Sequence, residues 1–315
     1  MAAGGGMNRA IVRVEHLEKR FGPVRALMDL SFMVDEGEIF GIIGPDGAGK
    51  TTLLRILAGV IRPDAGSLRL FDRDLLRELE RVRPLLGYMP QNFSLYGDLT
   101  VRENLLFFST MYGASDPAWM ERLLHFARLE RFLDRRAVQL SGGMQKKLAL
   151  IGAMIHRPRL LLLDEPTTGV DPVSRRELWD LLSEFHLQGV TILVTTPYLD
   201  EAERCTRVAL MHRGRMLAID APDRLRASLG HPVIEIIAQP IMGVHAALRD
   251  HPGVLEAVIL GDRIRLVVRE GSLSPEDVEE AARGIPGAIV QEARWAAPRL
   301  EEVFAHLMHQ ETADG

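Results

Sequence analysis

The chain has 315 residues, of which 47% are hydrophobic and only 6% aromatic. This length suits one large α/β domain followed by a smaller one. The net charge of −5 argues against a nucleic-acid partner, because proteins that bind nucleic acid usually present basic surfaces. A single cysteine, Cys205, excludes an internal disulfide, and no run approaches the roughly 18 apolar residues that span a bilayer.

Strand and helix signals alternate over most of residues 11–229. Residues 1–10 are small and glycine-rich, and we expect them to be disordered. Short apolar runs predict strands at Ile11–Leu17, Leu30–Val34, Glu38–Ile43, Ser67–Phe71, Leu86–Met89, Leu160–Leu163, Thr191–Thr195, Val208–His212 and Arg215–Ile219. Helical spacing predicts helices at Lys50–Ala58, Ser174–His186 and Tyr198–Cys205.

Residues of about 92–157 interrupt this alternation. Strand signals disappear there, and helical spacing recurs at Leu99–Met111, Pro117–Ala127 and Gly142–His156. The pattern indicates a helical subdomain inserted in an α/β domain.

Residues 231–315 have a different pattern, which predicts a small accessory domain. The predicted order is βαββαβα, a split βαβ pattern of ferredoxin-like type. The elements are Val233–Ala238, Val244–Arg249, Val254–Leu260, Arg263–Val268, Pro275–Arg283, Ala288–Glu292 and Leu300–Met308. No catalytic constellation is evident among them.

A glycine-rich loop directly follows the predicted strand Glu38–Ile43. Gly44, Gly49, Lys50 and Thr51 match the pattern G-x-x-x-x-G-K-[ST]. Such a loop wraps phosphate oxygens with backbone N–H groups, and the helix after it points its positive end at the same anion. The sequence therefore predicts an ATP site formed by Gly44, Pro45, Asp46, Gly47, Ala48, Gly49, Lys50, Thr51 and Thr52. Lys50 is expected to neutralise the β- and γ-phosphates, and Thr51 to ligate Mg²⁺.

A carboxylate pair follows the buried strand Leu160–Leu163. Parallel strands deliver such groups to the carboxyl edge of the sheet, where the ligand of this fold class binds. We expect Asp164 to hold Mg²⁺ through water, and Glu165 to act as the catalytic residue that polarises the attacking water. On its own, an Asp-Glu pair after a strand also fits an ordinary cap of the next element.

Residues 140–147 (LSGGMQKK), taken with residues 44–51 and 164–172, resemble the ATP-binding subunits of ABC transporters. The resemblance covers about Val12 to Leu229. It implies that Phe21 stacks on adenine, and that Gln91 senses both the magnesium ion and the γ-phosphate. Without the resemblance, Phe21 fits a core aromatic and Gln91 a surface residue equally well.

The resemblance also implies a head-to-tail dimer in which ATP lies between one phosphate loop and the opposing signature motif. Ser141, Gly142, Gly143 and Gln145 then contact the ATP of the opposing subunit, and Asp171 lies in the loop that links the subunits. Ser-Gly-Gly at a helix start is also an ordinary helix cap.

Residues 169–179 and Leu300–Phe304, together with the small domain, resemble subunits that serve ABC-2 type exporters. This implies a separate membrane permease as partner, docked near Tyr96–Phe108, and a cytoplasmic location on the inner face of the cell membrane. The alternatives are a soluble ABC protein of translation or DNA repair, or an ATP-gated regulator without hydrolysis. The first usually carries two cassettes or a long coiled coil, and Asp164-Glu165 argues against the second.

Pro197 departs from the family pattern, which usually places a histidine at this position after the strand Thr191–Thr195. Proline has no side-chain donor and no backbone N–H, so it cannot contact the γ-phosphate as the histidine does. Either Glu165 suffices for slower hydrolysis, or the chain pairs with a different ATPase subunit that carries the histidine.

Overall fold

The computed structural model describes residues 9–92 and 95–313. The disorder expected at the N-terminus falls outside these residues, apart from Arg9 and Ala10. The described chain divides into two compact units between Met216 and Leu217. The sequence placed the change of domain near 229–231, and the sheet of the second unit begins at Val233.

Two sheets are built from the strands up to Asp220. The strands are β1 (Ala10–Phe21), β2 (Val24–Asp35), β3 (Ile39–Ile43), β4 (Ala65–Leu70), β5 (Arg73–Asp74), β6 (Leu86–Met89), β7 (Leu160–Asp164), β8 (Thr191–Thr196), β9 (Arg207–His212) and β10 (Arg215–Asp220). One sheet has the order β2-β1-β4-β5, and the other β10-β9-β3-β8-β7-β6. In the second sheet β6, β7, β8, β3 and β9 run parallel. The strands β3, β7 and β8 are wholly buried and mostly apolar, although β7 ends in Asp164 and β8 contains three threonines.

The helices of the first unit are α1 (Lys50–Leu57), α2 (Leu79–Val82), α3 (Val101–Tyr112), α4 (Pro117–Ala127), α5 (Gly142–Ala153) and α6 (Pro172–Leu187). Of these, α3, α4 and α5 occupy the predicted helical insertion. The helix expected from Leu99 begins at Val101, because Thr100 and Glu103 form a capping box at its N-terminus. The buried Asn104 fixes the segment before it, since its side chain bonds both the backbone N–H and the carbonyl of Tyr96.

The prediction of an α-helix at Tyr198–Cys205 is wrong. Leu199–Arg204 forms a 3₁₀ helix, in which the N–H of Cys205 donates to the carbonyl of Ala202. The thiol of Cys205 is buried beside Gly41 of β3, where a Cβ at residue 41 would lie 2.7 Å from the sulfur. This close contact between Cys205 and the sheet accompanies the 3₁₀ helix, which is wound more tightly than an α-helix.

The second unit contains α7 (Pro222–Ala227), β11 (Val233–Gln239), α8 (Ile241–Arg249), β12 (Val254–Leu260), β13 (Arg263–Val268), α9 (Pro275–Arg283), β14 (Ile289–Ala296) and α10 (Leu300–Ala313). Its antiparallel sheet has the order β12-β13-β11-β14. This confirms the ferredoxin-like pattern predicted from the sequence. One face packs against α8 and α9 through residues such as Ile236, Ile264 and Val278.

The other face of that sheet carries a buried charge network. Arg265 of β13, 2% exposed, donates to Glu235 of β11 at 2.8 Å and to Glu302 of α10. It also donates to the carbonyl of Ala297 at 2.6 Å. The guanidinium therefore joins α10 to the sheet, and its charge is compensated by two buried carboxylates.

Candidate functional site

The parallel sheet brings four sequence segments together at one edge. The glycine-rich loop follows β3, Asp164 and Glu165 end β7, Thr196 ends β8, and Gln91 comes two residues after β6. Since these strands are parallel neighbours, their carboxyl ends meet at the same edge. The sequence predicted that the glycine-rich loop and the Asp164-Glu165 pair lie at this edge, and the structure places Thr51 within hydrogen-bonding distance of Asp164, and Gln91 within that of Glu165.

The loop geometry explains two of its glycines. Gly49 has φ 106°, and a Cβ there would lie 2.5 Å from the carbonyl oxygen of Ala26. A Cβ at Gly44 would lie 2.1 Å from the carbonyl oxygen of Met211. The first N–H groups of α1 receive no side-chain cap, because residue 49 is a glycine. They are therefore available to an anion.

Lys50 is the first residue of α1 and is 3% exposed. Its side chain is bonded to the loop that precedes the helix. Its ammonium donates to the carbonyls of Gly44 at 2.7 Å and Pro45 at 3.0 Å. The same nitrogen lies 3.0 Å from Oε1 of Glu165. Its positive charge is thus held at the loop by backbone and carboxylate oxygens together.

Asp164 is the acceptor of two hydroxyl groups. Thr51 of α1 and Thr195 of β8 both donate to its Oδ1 at 3.0 Å. Burial raises the pKa of this carboxyl, and the nearby Glu165 raises it further, while the two hydroxyls act in the opposite direction. A cation beside Asp164 and Thr51 would relieve the cost of burying the charge, and their oxygens are donors that suit a hard divalent ion. The pair therefore fits a magnesium site.

Glu165 is 4% exposed and has a positive φ of 48°, which is unusual for a residue with a side chain. Its Oε2 accepts from Nε2 of Gln91 at 2.9 Å and from Thr168 at 3.2 Å. Its own N–H donates to the hydroxyl of Thr195 at 3.0 Å. Several partners from different segments therefore hold this carboxylate in a strained backbone position.

A cavity of about 570 Å³ opens at the loop. Its lining includes residues of the predicted ATP site, namely Asp46, Gly47, Ala48, Gly49, Lys50, Thr51, Thr52, Gln91 and Glu165, and also Val24, Ala26, Met28, Arg25 and Arg213. Gly44 and Pro45 of the predicted site are not among these lining residues. Phe21 is half exposed at the end of β1, with the ammonium of Lys19 5.4 Å from its ring centroid, and it is not among the described lining residues.

The signature stretch lies at the N-terminus of α5. The hydroxyl of Ser141 caps the helix by accepting from the N–H of Met144 at 3.3 Å. Gly142 faces open space, whereas a Cβ at Gly143 would lie 2.2 Å from Oγ of Ser174 in α6. Gln145 donates inward to the carbonyls of Ala137 and Leu140. None of residues 141–145 lines the cavity at the phosphate loop.

Comparison with known proteins decides the family. A family model described as "ABC transporter" matches residues 27–168. The "Nod factor export ATP-binding protein I" of Burkholderia orbicola (strain AU 1054) is 38% identical over 315 residues, which cover 98% of this chain and 100% of that protein. The chain belongs to the family of ABC transporter ATPases.

Two further similarities bear on this chain. The "probable multidrug ABC transporter ATP-binding protein YbhF" of Escherichia coli (strain K12) is 39% identical over 310 residues, which cover 96% of this chain. The match covers 53% of YbhF, so the chain spans about half the length of that relative. The dimeric, post-hydrolysis structure of the ATP-binding cassette MJ0796 with ADP and Pi matches 67% of this chain and 98% of its own, with a TM-score of 0.61 and 27% identity.

Asp171 is the N-cap of α6. Its Oδ1 accepts from the backbone N–H groups of Val173 and Ser174 at 3.0 Å, and its Oδ2 accepts from the hydroxyl of Ser174 at 2.6 Å. These hydrogen bonds lower the pKa of the carboxyl, the one from the Ser174 hydroxyl most strongly. Asp171 remains exposed at the start of α6.

Pro197 follows the last residue of β8. The carbonyl of Thr196 accepts from the N–H of Gly44 at 3.3 Å, so Pro197 directly follows the strand that borders the phosphate loop. No imidazole is present at this position. His212, at the end of β9, and His186, in α6, belong to other elements.

Sequence reasoning missed several residues of this site. Thr195, Thr168 and Lys146 contact the predicted residues, but the sequence assigned none of them a role: Thr195 lies in a predicted strand, and the other two lie inside stretches that were used only for the family resemblance. Arg25 and Arg213 line the cavity through a strand and a turn that carry no catalytic signal. Among the described residues, no helix is both long and apolar enough to cross a bilayer, and no cluster of metal-binding side chains is found.

Proposed function

We propose that this chain is the ATP-hydrolysing subunit of an ABC-2 type exporter, and that ATP drives its dimerisation. The observation that carries the proposal is the connected set Lys50–Glu165–Gln91 beside Thr51–Asp164, at the mouth of a glycine-lined cavity. A buried lysine at a phosphate-binding loop and a buried carboxylate pair are what phosphoryl transfer to water needs.

Each residue then has a role. The loop N–H groups and the N-terminus of α1 bind the phosphates, and Lys50 neutralises charge on the β- and γ-phosphates. Glu165 accepts the proton of the attacking water, and Gln91 orients Glu165 through their 2.9 Å hydrogen bond. Thr51, Gln91 and, through water, Asp164 hold Mg²⁺, which neutralises negative charge on the phosphates. Phe21 and Val24 offer apolar surface near the cavity for the base.

A second subunit completes the site in this proposal. Ser141, Gly142 and Gly143 do not line the phosphate-loop cavity of their own chain, yet they form an uncharged helix N-terminus suited to an anion. The exposed Asp171 begins α6, which packs on α5 at Gly143 and Ser174. The similarity to a cassette solved as a dimer with ADP and Pi supports the same pairing here. Nε2 of Gln145 donates to two carbonyls of its own chain, so this amide nitrogen does not contact the partner's ATP while those hydrogen bonds are kept.

The export role is supported by the names of the relatives, which are a multidrug transporter protein and a Nod factor export protein. A separate ABC-2 type permease would dock on the helical subdomain near Tyr96–Phe108 and place the chain on the inner face of the cell membrane. Exposed apolar side chains there, Tyr96 and Leu106, suit such a contact.

A second candidate is specifically favoured by Pro197. In it, the chain pairs with a different ATPase subunit that carries the histidine, and the dimer contains one strong and one weak site.

Steady-state ATPase assays of the purified chain with and without Mg²⁺ test the proposal. We expect turnover that requires Mg²⁺ and disappears in Lys50→Ala and Glu165→Gln. Nucleotide binding without turnover would favour the second candidate, and absence of both would refute the ATPase role.

The export proposal needs its own experiment. The chain should co-purify with a multi-spanning membrane protein encoded beside it, and the complex should show higher ATPase activity than the chain alone. Loss of the complex on replacing Leu106 by Glu, with intact ATPase activity of the isolated chain, would locate the contact. Failure to bind any such protein would refute the export role and leave the ATPase role standing.

A further inference from the structure

Lys146 lies on the signature helix α5 and reaches the segment after β6. Its ammonium donates to the backbone carbonyl of Gln91 at 3.0 Å. The side chain is half-buried, and burial lowers its pKa, while attraction to Glu165 and Asp164 acts in the opposite direction. Lys146 therefore attracts the carboxylates of Glu165 and Asp164 electrostatically, although it belongs to the helical subdomain.

The contact continues through Gln91 to the phosphate loop. The side chain of Gln91 donates to Glu165 at 2.9 Å, and Glu165 lies 3.0 Å from the ammonium of Lys50. An unbroken series of polar contacts thus connects α5 with α1 inside one chain. Such a series transmits a displacement because each member has a short, directional contact with the next.

We propose that Lys146 is a positioning residue that couples the two ATP sites of the dimer. This rests on the proposed function, in which the N-terminus of α5 serves the ATP of the partner subunit while Gln91 and Glu165 serve the ATP of their own. A movement of α5 on binding the partner's nucleotide then shifts the Gln91 carbonyl and, with it, Glu165. Coupling of this kind is reciprocal in binding, so each ATP affects the affinity for the other.

The neighbouring Lys147 provides a matched control. It is also on α5 and is also an ammonium, but it pairs with Glu177 of α6 at 2.9 Å and contacts none of the catalytic residues. A general loss of charge or stability in α5 would affect both lysines alike. An effect confined to Lys146 would therefore trace to the Gln91 contact.

The test compares Lys146→Met, Lys146→Arg and Lys147→Met in the full chain. For Lys146→Met we expect kcat to fall by roughly tenfold, KM to stay within about twofold, and the Hill coefficient for ATP to drop towards one. Lys146→Arg should recover most of the activity, because it can still donate to the Gln91 carbonyl. Lys147→Met should keep the wild-type kcat and Hill coefficient.

Hydrogen exchange measures the contact without hydrolysis. In Lys146→Met we expect faster exchange of the amides of Gln91 and Asn92 and unchanged exchange in residues 50–57 of α1. Wild-type exchange at Gln91 in that variant, or an equal effect from Lys147→Met, would overturn the inference. If the wild-type chain neither binds nor hydrolyses ATP, the proposed function fails instead, and the exchange result still decides whether Lys146 holds Gln91.

Discussion

The ammonium of Lys50 and the carboxylate of Glu165 form an ion pair 3.0 Å apart, and both side chains are almost completely buried. One residue belongs to the phosphate loop and the other to the end of β7, so the pair joins the two halves of the site. A phosphate group entering the loop competes with Glu165 for the same cation. If Glu165 has the catalytic role proposed above, the same carboxylate also opposes nucleotide binding.

Glu165→Gln should separate these two effects. We expect kcat to fall by about 10²- to 10⁴-fold because the general base is lost. ATP affinity should rise, because a neutral amide no longer competes for Lys50. Equilibrium binding of a fluorescent ATP analogue and steady-state ATPase assays measure both. Glu177→Gln is the control, since it removes a carboxylate of the same unit outside the cavity; equal affinity in the wild type and Glu165→Gln would contradict the competition.

Replacing Asp164 by Asn should change how stability depends on pH. Burial raises the pKa of Asp164 in the folded protein. The folded chain then binds more protons than the unfolded chain above the ordinary carboxyl pKa of 3.8, so stability falls as pH rises from there through the raised pKa. In Asp164→Asn this loss is absent, and thermal unfolding without Mg²⁺ should shift to higher temperature at neutral pH. A lower unfolding temperature there would contradict the argument.

Asp171 allows capping to be separated from subunit contact. Asp171→Asn retains an acceptor for the N–H groups of Val173 and Ser174, whereas Asp171→Ala removes it. We expect near-normal thermal stability for the first variant and lower stability for the second. If the charge contacts a second subunit, both should dimerise poorly with ATP in light-scattering measurements made in the Glu165→Gln background. Normal dimerisation of Asp171→Asn would limit the residue to capping.

Pro197→His should raise the steady-state turnover of the homodimer, because an imidazole donor is restored next to the strand that borders the loop. Pro197→Ala is the matched control, since it restores the backbone N–H without the imidazole. We expect a several-fold gain for histidine and none for alanine. Equal rates in all three proteins would mean that residue 197 does not face the γ-phosphate.

Arg265→Met should destabilise the second unit by about 3–5 kcal/mol, because it leaves Glu302 buried without its guanidinium partner and removes one of the three arginines that bond Glu235. Burial would raise the pKa of Glu235, but hydrogen bonds from Arg294, Arg263 and Arg265 outweigh it and lower the pKa to about 2. This stabilisation is present above the ordinary pKa of 4.5 and is lost as pH falls towards 2.

Denaturant unfolding of the full chain at neutral pH measures the effect of Arg265→Met. Arg294→Met is the control, because its guanidinium is about half exposed and contacts the same carboxylate. We expect Arg294→Met to lower the free energy of unfolding much less than Arg265→Met does. A similar loss in both variants would show that burial does not decide the contribution of the network.

The sequence predicted those parts of the candidate site in which a residue type with suitable chemistry stands at the expected place in the chain. Glycines at 44 and 49 and the carboxylates after β7 follow directly from strand–loop–helix patterning. Thr195 and Lys146 could not be found in this way, because β8 and α5 approach the site only after the sheet order and the helical insertion are formed. The 3₁₀ turn at Leu199–Arg204 has helical periodicity in sequence, and packing of Cys205 against Gly41 accompanies the tighter winding.

The contact between Gly143 and Ser174 leaves no room for even one additional carbon atom. Ser174 is also bonded to Asp171, so the signature stretch and the loop before α6 share a single serine. In a dimer, these two segments would act as one rigid element of the interface. A substitution at residue 174 would then alter the signature stretch and the loop before α6 at the same time. A variant made in one of these segments would likewise change the interface through the other.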